Sequence, residues 1–261
     1  MKPLNTLLKS ALLSATLVTT GYTLPVAAES YPPAVQQVID RGVSIKGTFD
    51  APGGMTGYVG NMQGRGVAFY LTPDKEHLVV GPMLDEKGNN LTEPKIQELV
   101  LGPQNENAWR QLEDADWVRD GDADAPVVIY TFTDPNCPYC HRFRQAAEPW
   151  IDAGRVQLRH ILVGILKQDS LPKAATIIGS ENPSAALAEN QESYSEGGIE
   201  VDRQVVSNHA KQIQGNNQLM TSLGLSATPS TYYRNSNGNV LKKQGAPRPD
   251  ELEEIMGSKM P

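Results

Sequence analysis

Cysteine is almost missing from this chain: there are two in 261 residues, Cys137 and Cys140. That supply excludes the multi-bridge disulfide framework by which small exported domains are stapled together. Histidine is scarce as well. With four in all, a zinc site would have to gather His77, His160 or His209 singly from different segments, so no metal is expected. Positive charge is in deficit, 23 Lys+Arg against 30 Asp+Glu, and an acidic chain of this kind repels phosphate backbones, which excludes nucleic acid as a partner. Beyond the N-terminal segment no apolar run reaches the roughly 18 residues that suggest a membrane span.

The N-terminal segment carries Lys2 and Lys9, a mostly apolar stretch from Leu12 to Val18 and small residues at Val26-Ala27-Ala28. This reads as a signal peptide over residues 1–28, cleaved near Ala28, in a protein exported to the periplasm. Its loss removes two lysines and no acidic residue, which leaves the mature chain, from Glu29, more acidic still. What remains is longer than the roughly 100–150 residues of a typical domain, so two domains are expected.

Residues 29–90 read as a first, β-rich domain. A short helix at Val35–Arg41 precedes the apolar or alternating runs Val43–Phe49, Gly57–Val59, Gly66–Leu71 and His77–Val80, which predict a small antiparallel sheet. Pro52-Gly53-Gly54, Gly64-Arg65-Gly66 and Thr72-Pro73-Asp74 supply its turns. The glycines between Gly53 and Gly66 lack the Gly-Lys-Ser/Thr ending of a phosphate cradle, and hairpin turns explain them.

Residues 91–120 form a helical linker. Ile96, Leu99, Val100, Trp109, Leu112 and Trp117 recur at helical spacing among polar residues, with a break expected near Gly102-Pro103. Two readings of it stay open, a bridge through solvent and an ordinary packed helix.

Residues 121–261 predict a second, mixed domain. The strand Val127–Thr133 leads into a helix from about Pro138 to Ala153, kinked at Pro149, and a strand at Val156–Val163 follows. That β-α-β order implies a parallel pair joined by a crossover helix. Helices inserted over about 170–224 precede Thr228–Tyr233, a turn at Asn237-Gly238, the strand Val240–Lys243 and a last helix from Asp250 to Met256.

Cys137-Pro138-Tyr139-Cys140 lies where the first of these strands gives way to the helix. There the first sulfur meets unpaired backbone N–H groups that favour a thiolate. The second lies one turn away, within reach of a disulfide. On the residues alone such a pair is a redox couple, half of a metal site or a haem attachment point, and His141 completes a formal Cys-x-x-Cys-His pattern.

With these residues in view, the chain resembles the DsbG-type disulfide isomerases of the bacterial periplasm, which are thioredoxin-fold thiol:disulfide oxidoreductases. Three features carry the resemblance. They are Cys137-Pro138-Tyr139-Cys140, the Thr228-Pro229 pair before a strand, which matches the cis-proline loop of that fold, and Thr48–Met55 with Gly57-Tyr58. Val156–Arg159 and Leu162–Gly164 continue the match, which runs over nearly the whole mature chain.

The resemblance implies an α+β protein with a cystatin-like N-terminal dimerisation domain, a helical linker and a thioredoxin-like catalytic domain with inserted helices. It also implies a V-shaped homodimer. Misoxidised or sulfenylated exported proteins would be its substrates and a membrane electron donor of the DsbD type its reductant, with no cofactor. Within that reading Cys137, the exposed sulfur, is the nucleophile and Cys140 the buried resolving thiol. Pro138 and Tyr139 tune the redox poise, and Thr228 and Pro229 offer a backbone edge to substrate. A DsbA-like oxidant is the main rival, which the dimerisation-like N-terminal domain opposes; a c-type haem carrier is the outsider.

Overall fold

The computed structural model describes residues 31–261, so the expected signal peptide lies outside the described residues. The first unit opens with helix α1 (Pro33–Asp40), where Pro33 suits the first turn because its missing N–H would have no partner there anyway. Strands β1 (Ser44–Ala51), β2 (Met55–Met62), β3 (Arg65–Leu71) and β4 (Leu78–Val80) follow. They pair antiparallel in the order β1-β2-β3-β4. Alternation divides the strands between two small cores. Tyr58 and Phe69, paired across β2 and β3 and stacked at 5.4 Å, face Val35 and Val43, whereas their neighbours Val59 and Ala68 turn to the opposite side.

That opposite side is covered by the linker. Helix α2 (Glu93–Ile96), a π-helical turn (Gln97–Leu101) and helix α3 (Gly102–Glu113) run on without a gap. Val100 is buried against Val59 and Ala68, with Ile96 and Leu99 beside it. The break expected at Gly102-Pro103 is therefore absent. Pro103 falls in the first turn of α3, where its missing donor costs little, and the Gly102 N–H reaches back five residues to the Gln97 carbonyl. At its other end α3 buries Ala108, Trp109 and Leu112 in the second core, so the packed-helix reading holds.

The second unit is a five-stranded sheet between helical layers. Its strands are β5 (Val118–Asp120), β6 (Val127–Thr133), β7 (Val156–Leu162), β8 (Ser230–Arg234) and β9 (Val240–Gln244), in the order β5-β7-β6-β8-β9. β6 and β7 are parallel, joined by helix α4 (Pro138–Asp152) as expected, and the other pairs are antiparallel. α4 continues through Pro149. β5 falls within the stretch read as linker: three residues are too few to show an alternating pattern.

Between β7 and β8 come α5 (Ser170–Gly179), α6 (Pro183–Glu192) and α7 (Arg203–Ser222), and the chain closes with α8 (Pro249–Ile255). One sheet face packs Tyr130, Phe132, Ile161 and Tyr232 against α3 and α7. The other packs Ile129, Val156 and Leu158 against Phe143, Ala147 and Trp150 of α4 and Ile255 of α8. A third cluster joins Leu162 to Ala174 and Ile177 of α5, Leu187 of α6 and Ile213 of α7, which binds the inserted helices to the sheet. Among the described residues no helix is long and apolar enough to cross a membrane.

Candidate active site

β6 delivers the chain into the tight loop Asp134-Pro135-Asn136, and the Cys137 N–H closes it on the Asp134 carbonyl at 2.9 Å. Cys137 then caps α4. Its backbone is extended (φ −82°, ψ 116°), and its sulfur accepts the Cys140 N–H at 3.4 Å, one of the donors a helix leaves free at its start. Pro138 follows in the first turn. Across the gap the Thr228–Pro229 bond is cis. The Cys137 thiol donates to the Thr228 carbonyl at 3.4 Å, so that loop and the first cysteine are in contact.

Both cysteines are free thiols, and both are buried. The expected exposure of Cys137 is corrected here: 2% of its surface is accessible, because the Thr228 loop lies against the sulfur. The two thiols differ in ionisation instead. Cys137 is lowered from 9.0 to about 6, first by a hydrogen bond from the Cys140 thiol, against the opposing effect of burial, then by the Thr228 hydroxyl and the N–H groups of Cys140 and Tyr139. Cys140 is pushed well above 9.0 by burial and then by the hydrogen bond and charge of Cys137. The dithiol thus presents one thiolate and one thiol near neutral pH. The Thr228 hydroxyl is buried beside the pair with no other hydrogen-bond partner, which leaves it available to the ionised sulfur.

Tyr139 stands out into solvent with the Arg142 guanidinium 4.4 Å above its ring. Ile165 and Leu166, also exposed, border the same loop, since both of their N–H groups donate to Asp134 Oδ2, at 2.9 and 3.0 Å. His141 stacks on Tyr194 at 4.4 Å and pairs through Nδ1 with Gln191 Oε1 at 2.8 Å, a packed position. His77, His160 and His209 are not gathered at the cysteines. Among the described residues the one grouping with metal-ligand spacing is Asp74, Glu76 and His77, exposed before β4.

Sequence reading missed Asp134, whose carboxylate is buried and takes four donors: the Asn136, Ile165 and Leu166 N–H groups and the Ser170 hydroxyl. The signal available was the Asp-Pro-Asn turn chemistry ahead of Cys137.

Comparison with known proteins shows the family. Residues 121–258 match the thioredoxin-like domain family, and residues 26–93 match the disulfide bond isomerase protein N-terminal domain. The thiol:disulfide interchange protein DsbG of Pseudomonas aeruginosa is 42% identical over 94% of this chain and 95% of its own length. The chain belongs to the DsbG family of thiol:disulfide interchange proteins. The Escherichia coli DsbG is 39% identical over 97% of this chain and all of its own. Among solved structures, the catalytic domain of Proteus mirabilis ScsC aligns at 25% identity and a TM-score of 0.46, covering 57% of this chain and 95% of that one. As a DsbG-family member this chain is a thiol:disulfide oxidoreductase, an α+β protein with a thioredoxin-like domain behind an isomerase-type N-terminal domain.

Proposed function

We propose that this DsbG-family chain works in the periplasm as a disulfide isomerase and reductase of exported proteins, with Cys137 as the attacking sulfur and Cys140 as the resolving one. The observation that carries the reading is the division of labour at the helix start. Cys137, drawn down to about 6, is the thiolate near neutral pH, and Cys140, pushed up, keeps its proton until it is needed.

The thiolate attacks one sulfur of a substrate disulfide; the S–S bond breaks, and the second substrate sulfur leaves as a thiolate that takes up a proton. A mixed disulfide between Cys137 and substrate results. If the freed substrate thiolate, or another, attacks elsewhere in the substrate and finally displaces Cys137, the disulfide has been isomerised with no net change in redox state. If Cys140 instead gives up its proton and attacks Cys137, the substrate leaves reduced and the enzyme leaves oxidised. A sulfenylated cysteine enters the same cycle when Cys137 attacks its sulfur and hydroxide departs as water. The low ionisation point of Cys137 makes it a good leaving group in each release step.

Pro138 and Tyr139 set the backbone between the sulfurs, and Thr228 and Pro229 present the facing edge for an extended substrate. Each reduction consumes two electrons, so a membrane donor of the DsbD type returns the pair to the dithiol. Assembly as a homodimer through residues 29–90 is part of the reading. It is supported by Val79 and Val80, exposed on β4 at the edge of the first sheet, an arrangement that folded chains ordinarily cover. Residues 91–120 then serve as linker, and residues 121–261 as catalytic domain. Cys140→Ala tests the assignment: it should accumulate mixed disulfides with exported proteins that vanish in the Cys137→Ala,Cys140→Ala double variant. Equal trapping by both would overturn it.

A further inference from the structure

The loop that presents Cys137 is gripped from one side. Asn190 donates to the Pro135 carbonyl at 3.3 Å, the Tyr194 hydroxyl to the Asn136 carbonyl at 3.1 Å, and Ser170 Oγ to Asp134 Oδ1 at 2.8 Å. All three donors come from the helical insertion between β7 and β8. The Asn136 side chain reaches back to it, donating to Asp169 Oδ1 at 3.0 Å and Ser170 Oγ at 2.9 Å.

A buried ammonium lies at the centre of these contacts. Lys173 of α5 keeps 7% of its surface. Its Nζ donates to Asn136 Oδ1 at 3.0 Å and to the Gly197 carbonyl, and it pairs with Asp169 Oδ2 at 2.8 Å. Three donors meet three acceptors. Withdrawing an ammonium from water is costly unless its donors are matched and an opposite charge is near, and this site meets both conditions. Asp169 is the half-exposed partner, so the pair is held asymmetrically, with the cation inside against Asn136 and the anion towards solvent.

The amide orientation of Asn136 follows from that arrangement. An asparagine offers an acceptor at one end and donors at the other, and here the ammonium takes the acceptor while Asp169 and Ser170 take the donors. Reversing the amide would set its N–H₂ against the ammonium.

We propose that Lys173 is a positioning residue for the thiol chemistry, which fixes Asn136 and the loop ahead of Cys137 and places its ammonium beside the residue that precedes the sulfur. The inference rests on Cys137 being the attacking sulfur. The charged and titratable groups around that loop are Asp134, Asp169, Lys173 and Tyr194. A cation there favours the thiolate and the anion of Asp169 opposes it, so removing each has the opposite sign. A purely structural clasp would loosen in both cases and move both variants the same way.

The test is the ionisation midpoint of Cys137 in the full reduced chain, followed by ultraviolet thiolate absorbance against pH. Lys173→Met should raise the midpoint by about half a unit, about threefold less thiolate on the acid side. Asp169→Asn, which keeps an acceptor for Asn136, should lower it by a similar amount. Shifts of the same direction, or no shift in either, would overturn the proposal. If Lys173→Met does not fold, Asp169→Asn decides alone: a downward shift supports the proposal, and an unchanged or raised midpoint overturns it. A wild-type Cys137 that titrates like an ordinary cysteine would instead remove the functional reading underneath, and it is seen before either variant is compared.

Discussion

The Cys137 thiol and the Thr228 carbonyl meet at 3.4 Å although 91 residues separate them in the chain. The contact needs the proton. When Cys137 ionises, the carbonyl loses its donor and two electron-rich atoms face each other, so the same event that arms the sulfur frees a main-chain acceptor beside it.

Alkylation of the reduced protein should therefore follow Cys137 alone. Its rate is expected to climb through pH about 6 and level off above pH 7, because the thiolate is the reactive form and Cys137 is lowered to about 6. Cys140, pushed well above 9.0, keeps its proton and should stay unlabelled over that range. Mapping the labelled peptide by mass spectrometry checks both statements.

Stability of the reduced form should depend on pH with a definite sign. The folded value of Cys137 lies below its unfolded value of 9.0, so ionisation favours the fold. That contribution is complete above about pH 9 and is lost as pH falls through about 6. Urea unfolding of the reduced protein between these limits, set against Cys137→Ala, should show the wild type gaining on the variant as pH rises. A constant difference would contradict the lowered value.

Arg144→Met should destabilise the second unit by about 2 kcal/mol, less than the roughly 3–5 kcal/mol of a fully buried ion pair because both partners keep some exposure. Arg144 of α4 holds Asp120 of β5 at 2.9 Å and Glu148 on its own helix. Burial alone would raise the Asp120 carboxyl, and the His160 ring with the Arg144 guanidinium holds it below the ordinary carboxylate range instead. The stabilisation is present above the unfolded value of 3.8 and is lost as pH falls through the folded one. Acid titration of unfolding should accordingly be shallower in the variant.

Gly164→Ala should cost about 3 kcal/mol and slow thiol attack together. An added Cβ would lie 2.3 Å from the Leu171 Cα and 2.4 Å from its N, backbone atoms that cannot step aside without moving α5. Ser170 and Lys173 ride on that helix, and both hold the loop ahead of Cys137. Thermal unfolding and the alkylation rate at neutral pH should both respond; a stable variant with full reactivity would separate α5 from the site.

Local chemistry explains how much of this could be read from the sequence. The strand, turn and helix around Cys137 announce themselves because an apolar run, a Pro at the first helical turn and two cysteines three apart are adjacent in the chain. Thr228-Pro229 was legible through the family pattern. The clasp was not. Asp134 and Ser170 are 36 positions apart and Asn136 and Lys173 are 37, and a lysine in an Ala-rich stretch looks like a solvent-facing residue until the fold encloses it. The burial of Cys137 was hidden for the same reason, since the loop that covers it enters from the far end of the insertion. β5 escaped because Val118-Arg119-Asp120 derives its strand character from pairing with β7 rather than from its own pattern.

The π-helical turn at Gln97–Leu101 acts as a phase setter between the two sheets. It spends one residue more than an α turn would, and each helical residue advances the side-chain direction by about 100°. With that extra residue, Val100 meets the first core while Trp109 and Leu112 meet the second. Lengthening or shortening this turn by one position would rotate Trp109 and Leu112 about the helix axis relative to the residues that cover the first sheet. The orientation of one sheet relative to the other is thus written in a residue count, and the segment is read as a gear tooth rather than a tether.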